Sequence, residues 1–133
     1  MLPRTLRALL ALVLCVTALA GCSTAAGDGA PAPTGSSGLE TVRVDDLPAE
    51  ARATLELIER GGPFPYEKDG ATFSNFERIL PRQQRGHYRE YTVRTPGADD
   101  RGARRLVIGR DGEIFYTDDH YESFREVVPD DAR

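Results

Sequence analysis

Beyond Cys22 the 133-residue chain contains no cysteine, and it has no tryptophan anywhere. A folded part without thiols holds neither a disulfide nor a cysteine-bound zinc ion, although exported domains this small often rely on one or the other. Lysine is nearly missing as well, Lys68 being the single Lys among 17 basic side chains. A helix that spans a bilayer takes about 20 apolar residues, and the apolar run from Ala8 to Ala20 has only 13. The length excludes a repeat solenoid and a multidomain enzyme built on a large cofactor, and the composition excludes a collagen-like fibre. What the chain does have, beyond residue 40, is enough Tyr, Phe, Ile, Leu and Val for one small core.

Arg4 and Arg7 precede this run, and the small residues Ala18 and Ala20 close it, so residues 1–21 read as a signal peptide. Leu19-Ala20-Gly21-Cys22 looks like a bacterial lipobox, in which Cys22 becomes a lipid-modified N-terminus. Release after an A-x-A cleavage is the competing reading, the lipoprotein type being preferred; on both the protein is extracellular, secreted or anchored to the outer face of the cell membrane. Residues 22–38 are Gly, Ala, Ser, Thr and Pro with Asp28 as their one charge, the composition of a flexible tether. Residues 39–133 remain as the folded domain.

Leu47, Ala51, Leu55 and Ile58 recur at helical spacing between Pro48 and Gly61-Gly62, which predicts a helix over about 48–60. The breaker-rich stretch Gly61-Gly62-Pro63-Phe64-Pro65, followed by Asp69-Gly70, reads as a structured loop. From His87 to Thr95 the period becomes two. Tyr91 and Val93 fall on one face, while Tyr88, Glu90, Thr92 and Arg94 share a polar face expected to be open. Further strands are expected over Arg104–Gly109, Glu113–Thr117 and Phe124–Val128, the first two joined at the Asp111-Gly112 turn. The fold class is therefore α+β, one N-terminal helix packed on a small antiparallel sheet.

Charge is segregated. Residues 39–77 carry net −5, residues 78–110 net +6 and residues 111–133 net −6. An acidic domain is a poor indiscriminate nucleic-acid binder, yet the basic block leaves room for one or two phosphates. Arg105 alternates away from Leu106 and Ile108, so it shares a face with Glu90 if the strands pair. A carboxylate base, a histidine acid and two guanidiniums suffice for in-line phosphodiester transfer. On a strand the spacing from His87 to Glu90 puts the two on opposite faces, so they do not form a metal pair. His120 stands among acidic neighbours in Thr117-Asp118-Asp119-His120-Tyr121, which favours the imidazolium. Pattern alone leaves both histidines and Glu90 open to an ordinary surface role.

From about Thr41 to Val127 the sequence resembles the bacterial guanyl-specific ribonucleases, the family of barnase and ribonuclease Sa, and it is nearer to the latter. The segments that carry the resemblance are G-P-F-P-Y at 62–66, D-G-x-x-F-x-N-x-E at 69–77, Y-x-E-Y-T-V at 88–93, T-P-G at 95–97, R-G-x-R-R at 101–105 and D-H-Y at 119–121. Each is weak alone; six in family order are specific. The resemblance implies the microbial ribonuclease fold and an endoribonuclease acting on single-stranded RNA 3′ of guanosine. It implies transesterification to a 2′,3′-cyclic phosphate, then hydrolysis to the 3′-phosphate, with no metal or cofactor. Glu90 matches the general base and His120 the general acid, while Arg101 and Arg105 match the pair on the scissile phosphate. Glu77 matches the carboxylate that accepts from guanine N1–H and the 2-amino group. Backbone N–H groups around Ser74 to Phe76 would meet O6, Asn75 would shape that loop, and Phe73 and Tyr121 match aromatic residues around base and phosphate. The expected protein is a monomer, and relatives of this kind are often held by a small acidic inhibitor resembling barstar. A catalytically weak guanine-binding surface lipoprotein of the same fold is the alternative.

Two departures stand out. Relatives commonly carry Arg just before the guanine-binding Glu, where this chain has Phe76. Arg43 stands where ribonuclease Sa has the first cysteine of a disulfide, whose loss typically costs about 2–4 kcal/mol.

Overall fold

The computed structural model describes residues 34–131. The expected signal peptide, Cys22 and the expected tether up to residue 33 lie outside the described residues. Helix α1 (Ala49–Arg60) forms as the apolar period predicts, and Gly61 ends it in the left-handed region at φ 79°. The N–H groups of Gly61 and Gly62 donate back to Ile58 and Leu57, which satisfies carbonyls left over at the helix end.

Six strands make one sheet: β1 (Thr41–Arg43), β2 (Ala71–Phe73), β3 (Tyr88–Thr92), β4 (Arg105–Gly109), β5 (Ile114–Thr117) and β6 (Arg125–Val128). Their spatial order is β1-β6-β5-β4-β3-β2. The sheet is mixed rather than antiparallel throughout, because β1 pairs parallel to β6 while every other pair is antiparallel. The expected strands and helix are present; β1 and β2, three residues each, are too short to show a period.

Alternation along β4 assigns the two faces. Leu106 joins Val42, Leu47, Ala51, Val93, Tyr116 and Val127 in the core against α1. Val107 points the other way, into a second cluster with Leu80, Tyr88, Phe115 and Phe124. That second cluster corrects the expectation of an open face on β3. Tyr88 and Thr92 are buried, because the segment after β2 folds over this side of the sheet, and Glu90 between them faces what remains uncovered.

Residues 34–38, expected as the end of the tether, pack on the sheet instead. Thr34 bridges to Glu40, and the Gly35 N–H donates to the Leu39 carbonyl at 2.8 Å. Ser36 Oγ donates to Glu126 Oε1 at 2.8 Å and the Ser37 N–H to Oε2 at 2.9 Å. Small hydroxyl residues build no core, yet they give a half-buried carboxylate its donors, and residues 34–38 become a strap on β6.

Candidate active site

Pairing of β3 with β4 sets the first part of the site. Thr92 lies opposite Arg105 and Glu90 opposite Val107, so Glu90, Thr92 and Arg105 share the face away from α1. Glu90 keeps 13% side-chain exposure. Its Oε2 accepts from the Tyr121 hydroxyl at 2.9 Å, and its Oε1 lies 3.5 Å from Arg101 Nη2. Arg101 is itself anchored, donating from Nε at 3.0 Å and from Nη2 at 2.8 Å to Thr92 Oγ1.

Arg105 is 2% exposed and pairs with no carboxylate among the described residues. Its Nη1 donates to the carbonyls of Arg104 at 2.7 Å and Gly102 at 2.9 Å, and its Nε to the Tyr121 hydroxyl at 3.1 Å. The guanidinium also sits 5.8 Å from the Tyr121 ring centroid. A buried cation with only neutral partners is costly, and an incoming anion relieves that cost. Nη2 remains without a hydrogen bond to any described residue.

His120 and Tyr121 follow β5 in a turn that puts both in the left-handed region, at φ 57° and 71°. For residues with a side chain that conformation is strained by about 1–3 kcal/mol each, so neighbours must hold it. Thr117 Oγ1 accepts from the Tyr121 N–H at 3.1 Å, and the His120 N–H donates to the Ala103 carbonyl at 3.0 Å. Asp119 accepts from Thr117 Oγ1 at 2.8 Å, from the Ser123 N–H at 2.9 Å and from the Ser123 hydroxyl. The Ser123 hydroxyl is the main reason the Asp119 carboxyl lies below its usual range, ahead of the opposing effect of burial.

The second wall is the loop after β2. Asn75, at φ 52°, donates from Nδ2 to the Leu80 carbonyl at 2.9 Å and accepts the Leu80 N–H on Oδ1 at 3.1 Å. This closes residues 75–80 into a ring. Phe73, at the end of β2, stacks on Tyr121 with centroids 5.2 Å apart and meets Phe124 edge-on at 5.7 Å. Between the two walls runs a groove of about 550 Å³. Phe73, Ser74, Asn75, Phe76 and Glu77 line one side, and Glu90, His120 and Tyr121 the other. Glu77 is exposed and has no hydrogen bond or ion pair to another described residue.

Every expected site residue within the described range therefore falls in or beside one groove. Arg101 and Arg105 reach it through Glu90 and Tyr121. Cys22 lies outside the described residues. His87 takes no part; its Nε2 lies 2.8 Å from Glu113 Oε1 at the far end of the sheet. Sequence reasoning missed Thr92, Thr117 and Asp119. Thr92 was within reach, since it follows Glu90 by two on a strand and must share its face. Thr117 and Asp119 act through turn geometry that no spacing announces.

The ribonuclease family profile matches residues 30–128. Guanyl-specific ribonuclease St of Saccharopolyspora erythraea is 63% identical over 98 residues, 73% of this chain and 97% of that protein. Guanyl-specific ribonuclease Sa of Kitasatospora aureofaciens is 53% identical over 85 residues, 63% of this chain and 88% of that protein. Among solved structures, ribonuclease Sa2 with guanosine-2′-cyclophosphate superposes with a TM-score of 0.67 at 47% identity, covering 69% of this chain and 98% of that one. With this fold, these strand positions and these relatives, the chain belongs to the bacterial guanyl-specific ribonucleases of the Sa type.

Proposed function

We propose that the protein is an exported endoribonuclease that cuts single-stranded RNA on the 3′ side of guanosine, with Glu90 as base and His120 as acid. The observation that carries this reading is the gathering of Glu90, His120, Arg101 and Arg105 around a groove whose opposite wall presents Glu77. Glu77 offers two acceptor oxygens to the two adjacent donors on the guanine edge, N1–H and the 2-amino group. Adenine lacks that pair of donors and would leave the carboxylate underpaired. Backbone N–H groups of Ser74 to Phe76 are the donors for guanine O6.

In the first step Glu90 takes the proton from the ribose 2′-hydroxyl, whose oxygen attacks phosphorus. The bond from phosphorus to the 5′-oxygen breaks, and His120 protonates that oxygen as it leaves. Arg101 and Arg105 hold the non-bridging oxygens and stabilise their growing charge. Hydrolysis of the cyclic phosphate reverses the roles: His120 takes a proton from water and Glu90 returns one to the 2′-oxygen. Guanidiniums and imidazolium supply the positive charge, so the reaction is expected to persist in a chelator. DNA lacks the nucleophile and is not cut.

Residues 1–21 direct export, with a lipid on Cys22 holding the domain at the outer face of the membrane; Cys22→Ser is expected to abolish incorporation of labelled fatty acid. The test of the activity is cleavage of GpC and ApC by the full chain. Loss of GpC alone, through a cyclic phosphate, is the expected result. No cleavage by a folded protein that still binds guanosine monophosphate would leave a binding module of the same fold.

A further inference from the structure

A second groove of about 480 Å³ adjoins the first and shares Phe73, Ser74, Asn75 and Phe76 with it. Beyond those residues it is lined by Arg78, Arg82, Gln83, Gln84, Arg85 and Tyr88. Nothing in the chemistry proposed above uses it.

Its charge is unusual for this domain. Residues 78–85 hold three arginines and no acid, within a domain whose net charge is −5. Arg78, Arg82 and Arg85 are exposed, and none is paired with a carboxylate among the described residues. Guanidiniums left unpaired along a groove suit a polyanion that tracks through it.

Phe76 is the second feature. Its ring is 90% exposed, the one large hydrophobic residue so placed among the described residues, and it lines both grooves. An exposed ring gains nothing from the core, whereas an aromatic face beside cations is what a single-stranded base stacks upon. The support beneath is firm. Asn75 ties the loop to Leu80, and the Tyr88 hydroxyl donates to the Pro81 carbonyl at 2.6 Å, so Phe76, Arg78 and Arg82 ride on a segment anchored at Leu80 and Pro81.

We infer that the second groove is a subsite for a nucleotide lying beyond the GpN unit at which the chain is cut, its base stacked on Phe76 and its phosphate held by Arg82 and Arg85. The inference rests on the first groove being the guanosine site. It assigns Phe76, where relatives commonly carry Arg, a contact with that outlying base in place of a charge.

The test compares kcat/KM of the full chain on GpC, on ApApGpC and on GpCpApA, beside an Arg82→Gln/Arg85→Gln double variant. One of the two extended substrates is expected to exceed GpC by about tenfold, the low end of what one stacked base and one phosphate supply. Which one does so says whether that nucleotide lies 5′ or 3′ of the GpC unit. The double variant loses that gain, leaves GpC unchanged, and flattens the logarithmic salt dependence by about 0.7 for each phosphate contact removed. In parallel, the same extended oligomers with 2′-deoxyguanosine at the cut site are titrated by fluorescence anisotropy. If GpC is not cleaved, the cleavage reading fails, and the binding ratio of extended to short oligomer still decides the subsite. Equal affinity and rate for short and extended oligomers, or a gain that survives in the double variant, overturns the inference.

Discussion

Tyr121 joins the two halves of the proposed chemistry, because one hydroxyl donates to Glu90 and accepts from Arg105. Burial, then the hydrogen bond and charge of Glu90, push its pKa up, so it remains a donor wherever the enzyme works. Tyr121→Phe leaves Glu90 Oε2 and Arg105 Nε unpartnered. A hydrogen bond to a charged group is worth about 1.5–3 kcal/mol, so kcat is expected to fall about 10- to 100-fold with KM moving less. Steady-state kinetics on GpC checks the split, and an unchanged kcat would show that Tyr121 orients nothing. Arg105→Lys is expected to cost more than charge conservation suggests, since Lys lacks the planar fork that bonds the Gly102 and Arg104 carbonyls and Tyr121 together. At this scale much was legible in the sequence. Strand alternation put Glu90 and Arg105 on one face, and the family motifs supplied His120 and Glu77. The bridging role of Tyr121 was not legible, because it depends on a turn that brings a residue 31 positions from Glu90 back over it.

At the scale of elements, the turn from Thr117 to Ser123 decides where His120 sits. Two consecutive side-chain-bearing residues at positive φ persist because Thr117 and Asp119 bond the turn to itself. Asp119→Ala is therefore expected to lower kcat about tenfold while affinity for guanosine monophosphate changes little, since Glu77 and residues 74–76 lie on the other wall. Equal losses in both would place Asp119 in binding instead. The strap over β6 makes a separate prediction about pH. Burial alone would raise the Glu126 carboxyl, but hydrogen bonds from Ser37 and Ser36 outweigh it and hold the folded-state pKa below the ordinary 4.5. A carboxyl depressed in the folded state stabilises above its unfolded value, and the contribution is lost as pH falls through the folded value. Glu126→Gln is thus expected to lower Tm at pH 7, the gap to the unsubstituted protein closing as pH is taken well below 4.5. Residues 34–38 illustrate what composition hides. Gly, Ser and Thr read as tether until a carboxylate 90 positions away accepts their donors.

For the whole molecule, a sheet covered on both faces leaves few places for a polar site. One face meets α1 and the other meets the segment after β2, so the groove is the gap that second cover leaves around Glu90. Leu106 lies at the centre of the first core with no exposed surface. Leu106→Ala is expected to cost about 2–5 kcal/mol and to lower Tm by about 10 °C or more, as thermal unfolding would measure. The helix and hairpins showed in the sequence because their signals are local: apolar spacing, and the Asp111-Gly112 turn. The parallel pairing of β1 with β6 did not, because three residues carry no period and the partner lies about 85 positions on. The charge pattern likewise acquired meaning only when folded, the basic stretch lining the second groove and carrying Arg101 and Arg105, between acidic ends.

The pH dependence of kcat/KM on GpC, measured beside Glu90→Gln and His120→Ala, tests the central claim most directly. Glu90 must be ionised to accept a proton and His120 protonated to donate one, so the profile is expected to be a bell. Each substitution is expected to cost about 10²- to 10⁴-fold, with His120→Ala removing the alkaline limb and Glu90→Gln the acid limb. A bell that keeps both limbs in His120→Ala, or an active Glu90→Gln with an unaltered acid limb, would contradict the assignment.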